Sequence, residues 1–161
     1  MPYKLVASSG AKDVWVFAHH PGMPELGPFV LPDGRDAYQL IRDGRTTDLP
    51  FVPRFVQTHG RRWGDLLWTT EQTKIASQLF VDALEGFSGW HDFDVEVLDR
   101  HGRRREGYRG FAVDGTGSES DVWNYTGGQN SWFAVSDAVI EALRGRGVTE
   151  ASLTRMDGAP G

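Results

Sequence analysis

The chain has 161 residues, a formal net charge of −5 and no cysteine. A chain of this length buries roughly 70% of its unfolded surface and folds without staples. The missing cysteine excludes disulfides, thiolate nucleophiles and Cys-based zinc sites, and it suits a reducing cytoplasm. No stretch approaches the ~18 apolar residues of a membrane span, and the opening "MPYKLVASSGAKDVW" lacks the apolar run of a signal peptide, so neither membrane nor export is expected.

In chain order, "YKLVAS" and "DVWVFA" are rich in β-branched and aromatic residues and flank the turn-forming "SSGAKD". They are expected to form an opening hairpin. "HHPGMPELGPFVLPDGRD" is too dense in proline and glycine to be regular for long. "DAYQLIRDG" fits a helical turn or a strand, and "TTDLPFVPRF" is extended because residues before proline avoid the helical region.

The middle is clearer. "DLLWT" reads as a strand and "KIA" as a second one; Ser77 is a suitable N-cap for a helix over 78–85. Phe80, Ala83, Leu84 and Phe87 make one apolar helical face, and Gly86 ends the helix. "FDVEVLDRHGRRREGYRGFAVDG" places two extended runs around Asp99–Gly102, the pattern of a hairpin. The last third repeats the plan: "SWFAV" as a strand, Ser136 as a cap, a helix with Val139, Ala142 and Leu143 inward, "GRG" as a stop, and a final strand in "TEASLTRM".

"KIASQLFVDALEG" and "FAVSDAVIEALRG" align on Ser77 and Ser136 and share Ala83/Ala142, Leu84/Leu143 and Gly86/Gly145. Both encode strand, Ser-capped helix, glycine stop and strand. Each helix has one apolar face to bury on a sheet, so the repetition belongs to the scaffold. The expected fold is α+β, a single domain over 1–161 with a mixed, largely antiparallel sheet. Its two Ser-capped helices come from a repeated strand-helix-strand unit over 62–156, preceded by an irregular, β-rich part over 1–60.

Chemistry is sparse. His19 and His20 are adjacent, so on a strand they point to opposite faces and hold one metal poorly. No metal site is expected. GxxxxGK[ST], GxGxxG after a strand, HExxH and GxSxG are all missing from the sequence, so no cofactor and no catalytic residue is expected. The carboxylate pairs Asp92/Asp94 and Asp114/Asp121 would need a pocket that separates their pKa values. The run "RHGRRREGYR" reads as a charged hairpin tip that discourages edge pairing.

From Gly110 to Leu143 there is no Lys or Arg, while Asp114, Glu119, Asp121, Asp137 and Glu141 are present. Such a chain is poorly suited to nucleic acid and better suited to a basic protein partner. The stretch "DGTGSESDVWNYTGGQNSW" joins a Gly/Ser loop, expected to be mobile, to unpaired acids and aromatics. Asp114, Glu119, Asp121, Trp123 and Tyr125 are its candidate partner-binding residues, with interface and core both open for Trp123 and Tyr125.

The segments "DLLWTTEQTKIASQLFVDAL", "VEVLDRHGRRREGYRGFAV" and "SWFAVSDAVIEALRGRGVTEASL" resemble a bacterial family of polymorphic-toxin immunity proteins of the myxobacterial kin-discrimination type. The resemblance covers about 62–156. It implies a small cytoplasmic protein, not an enzyme, that binds a cognate toxin domain and blocks it. The alternative is a small enzyme or ligand-binding domain built on His19, His20 and His59.

Overall fold

The computed structural model describes residues 3–7, 9–19, 29–69, 73–124, 132–148 and 152–155. It is an α+β fold, mostly β, in mixed and largely antiparallel open sheets. One four-stranded sheet contains β4 (Leu66–Leu67), β5 (Lys74–Ser77), β8 (Tyr108–Val113) and β6 (Trp90–Phe93), in that order. A second contains β9 (Val122–Asn124), β10 (Trp132–Val135), β1 (Tyr3–Val6) and β11 (Ser152–Arg155). A three-stranded sheet joins β2 (Trp15–Ala18), β3 (Arg54–His59) and β7 (Glu96–Leu98), with β3 and β7 parallel.

The repeat seen in the sequence extends beyond the helices. β4, β5, α2 (Gln78–Ala83) and β6 correspond to β9, β10, α3 (Asp137–Gly145) and β11. In each unit the strands flanking the helix run parallel but do not touch. An antiparallel strand lies between them: β8 in the first unit, β1 in the second. Each repeat is therefore a split β-α-β unit, and the first strand of the chain completes the last unit.

Both helices start as the sequence predicts. Ser77 Oγ accepts from Phe80 N at 3.1 Å, and Ser136 Oγ accepts from Val139 N at 3.4 Å. An aspartate anchors each cap from the opening of its unit: Ser77 N donates to the Asp65 carbonyl at 2.8 Å, Ser136 N to the Asp121 carbonyl at 3.0 Å. Phe80 and Leu84 from the first unit share one core with Val139, Ile140 and Leu143 from the second. Phe111 is its aromatic centre, edge-on to Phe80 and Phe133 at 5.3 and 5.6 Å.

Strand alternation splits β4 and β5 between two cores. Leu66 and Ala76 join the helical core, while Leu67 and Ile75 face a second core with Val16, Phe55 and α1 (Ala37–Arg42). Asp36 caps α1, accepting from Tyr38 N at 3.0 Å, which resolves "DAYQLIRDG" as helix.

Of two expected hairpins the first does not form, and the second is short: around Asp99–Gly102, Asp99 N donates to the Arg103 carbonyl and Arg105 N to the Val97 carbonyl, both at 2.8 Å. β1 and β2 lie in different sheets, because β1 is taken up between β10 and β11. The turn at Asp99–Gly102 does close, with Gly102 N donating to the Asp99 carbonyl at 3.0 Å. Beyond it, β7 pairs with β3 and β8 with β5 and β6, so the arginine run crosses between sheets.

Candidate functional site

The acidic segment between β8 and β9 is pinned at both ends. Asp114 N and Gly115 N both donate to the Gly89 carbonyl at 2.9 Å, Val122 N to the Ser88 carbonyl at 3.0 Å, and Asn124 N to the Gly115 carbonyl at 2.9 Å. Asp121 and Ser88 form a reciprocal clamp: Asp121 Oδ2 accepts from Ser88 N at 2.9 Å, and Ser88 Oγ accepts from Asp121 N at 3.1 Å. Gly89, at φ +93°, is required here, since a Cβ would lie 1.9 Å from the Val122 carbonyl oxygen. Small and acidic residues suggested flexibility in the sequence, whereas the backbone groups at both ends of the segment are paired.

The structure sorts the candidate residues into different roles. The Asp114 side chain is 62% exposed and lies 3.0 Å from His91 Nδ1. The other ring nitrogen, Nε2, is 3.1 Å from the Gly44 carbonyl at the end of α1. Glu119 is exposed at the loop's outer turn, closed by Ser120 N donating to the Gly117 carbonyl at 3.0 Å. Asp121 is half-buried and committed to Ser88, which makes it a positioning residue. Trp123 is only 9% exposed, so its side chain is buried. It corresponds to buried Leu67 in the first repeat and pairs with Ala134 on the face of β9 away from Val122. Tyr125 lies outside the described residues.

His91 and Ser88 are the residues that sequence reasoning missed. Nothing local to "SGWHDF" marks them. Only the register of β6 on β8, which sets His91 opposite Ala112, brings the imidazole to Asp114.

The paired carboxylates Asp92 and Asp94 are spanned by Arg109, whose Nε donates to Asp92 at 2.9 Å and whose guanidinium also contacts Asp94. Burial opposes the charge on Arg109, but the hydrogen bonds to Asp94 and Asp92 outweigh it and hold its pKa above the ordinary value. Glu96 is engaged across the sheet by Arg54 at 3.5 Å. These acids belong to ion pairs within the fold.

Among the described residues, His19 and His59 are not brought together. His59 stacks on Trp15 at 4.4 Å beside the Ala11 carbonyl, at one end of the β2–β3 ladder. His19 follows the other end, its N–H donating to the Arg54 carbonyl at 2.8 Å. His20 lies outside the described residues. Among the described residues, no three His, Asp or Glu side chains converge to hold a metal ion, and no helix is long and apolar enough to cross a membrane.

The arrangement thus presents a pinned loop with Asp114 and Glu119 outward and Asp121 locked beneath. β8 separates it from the arginine run by six residues, a span of about 20 Å. Comparison with protein-family models and with curated proteins finds no match for the chain.

Proposed function

We propose that the chain is a toxin-neutralising immunity protein of the bacterial polymorphic-toxin kind. It acts in the cytoplasm by binding a cognate toxin domain and covering its active cleft, without chemistry of its own. The observation that carries this reading is the pinned acidic loop. A surface already fixed by backbone hydrogen bonds loses little conformational entropy on docking. Asp114 shares its cleft with Arg42, Arg45 and His91, so Glu119, at the outer turn of a stretch without Lys or Arg from Gly110 to Leu143, is the acid best placed to favour encounter with a basic surface. The pattern resemblance over 62–156 supplies the kind of partner.

The first experiment is growth rescue. The C-terminal domain of a large protein encoded beside this one is expressed alone and then together with this chain; toxicity relieved only by co-expression supports immunity. Unchanged toxicity removes it. With a partner in hand, Glu119→Lys is the clean probe, because Asp121→Lys would also break the Ser88 clamp. Association should slow about threefold to tenfold at low salt while dissociation changes little. An unaltered association rate would place the interface elsewhere.

A further inference from the structure

At the other end of β8, three chain segments meet around Gly60. The backbone N–H groups of Arg61 and Arg62 both donate to the Lys12 carbonyl at 2.9 Å. Buried Gln57 clamps the arrangement from below: its Nε2 donates to the Gly60 carbonyl at 2.8 Å, and its Oε1 accepts from Arg100 N at 3.0 Å. The Arg100 guanidinium also donates to the Gly60 carbonyl. Gly60 sits at φ +79°, and a Cβ there would lie 2.0 Å from the Asp13 carbonyl oxygen, so the two loops are in backbone contact.

The cleft so formed has a volume of about 620 Å³, and Lys12, Arg61, Arg62 and Arg100 line it. Asp13 neutralises one of these cations, Arg62, and leaves Lys12, Arg61 and Arg100. It is 6% exposed and turned inward, accepting from Gly10 N at 2.8 Å and from Arg62 Nε at 2.7 Å. Lys12 and Arg61 are exposed, and among the described residues neither side chain has an ion-pair partner. Across 10–13, 60–62 and 99–106 there are seven Lys and Arg against three Asp and Glu, in a protein whose net charge is −5.

We propose that this cleft binds a compact, multiply charged oligophosphate. Arginine forks match phosphate oxygens; Arg61 springs from a backbone group one hydrogen bond from Lys12, and the Arg100 guanidinium is held beside them on the Gly60 carbonyl. That density of charge fits neighbouring phosphates better than peptide carboxylates, which repeat about every 7 Å along one face of an extended chain. The site stands apart from the immunity reading and is tested without any toxin.

The experiment is calorimetric titration of the purified chain with sodium tripolyphosphate at low and at physiological salt. Saturable one-to-one binding is expected, weakening with salt. It should fall about 10-fold or more in the double variant Lys12→Ala/Arg61→Ala. Both side chains are exposed, so the variant should keep the unfolding midpoint of the parent, measured alongside. Three results would overturn the proposal: no saturable binding, equal binding by the double variant, or tighter binding of a polyglutamate peptide or a single-stranded oligonucleotide than of tripolyphosphate.

Discussion

Tyr108 shows how a single side chain records its surroundings. Its hydroxyl donates to the Gly64 carbonyl at 2.8 Å, its ring packs 5.7 Å from Trp63, and burial pushes its pKa up to about 12. The unfolded phenol titrates near about 10. Below that pH both states keep the proton and the residue adds no pH dependence. Between about pH 10 and 12 the unfolded chain loses the proton first, so the folded state loses stability as pH rises. Urea unfolding across that window should therefore fall less steeply in Tyr108→Phe than in the parent; parallel curves would mean that Tyr108 is not buried in this way. At this scale the sequence was legible where one atom suffices, as at Ser77 and Ser136, whose oxygens cap their helices. It was not legible at Trp123, since a three-residue strand does not reveal which of its faces is covered.

Among the elements, the repeated strand-helix-strand pattern was readable from apolar spacing, capping serines and glycine stops. The strand inside each repeat was not readable. β8 and β1 are distant in sequence from the pairs they separate, and local turn chemistry favoured hairpins with nearer neighbours. Tyr3 lies opposite Arg155 in the β1–β11 ladder, so the ends of the described chain meet. Joining them by a short linker and reopening the chain at Ser9 would give the second repeat the strand order of the first. That permuted protein should fold with near-parental stability, while deleting 1–7 should abolish cooperative unfolding, because it removes an inner strand with buried Leu5. Circular dichroism with urea titration distinguishes the two, and a folded deletion variant would contradict this account of the second repeat.

For the whole molecule, net charge hides a division into two poles. Composition showed a cation-free stretch and an arginine run; only the course of β8 places them about 20 Å apart. At physiological ionic strength the screening length is about 8 Å, so each pole acts on its own ligand. Glu119→Lys should accordingly leave tripolyphosphate binding within about twofold of the parent, even where it slows association with a protein partner. A larger change in the same titration would mean that the loop and the cleft are coupled. The acidic pole was partly legible, by the identity of Asp114 and Glu119. The cleft was not, because Lys12, Arg61 and Arg100 converge only through the buried amide of Gln57 and the backbone of Gly60.

The placement of β1 also has a consequence in time. Ribosomes add about 5 to 20 residues per second, so roughly 8 to 30 s separate the birth of Tyr3 from that of Arg155. Until β10 is made the first strand has neither of its neighbours, and until β11 follows it keeps one edge open, while the first repeat can already close. The nascent chain must keep its opening residues out of other pairings until its last strand emerges. Whatever shields that segment during synthesis governs how much of the protein reaches its native sheet.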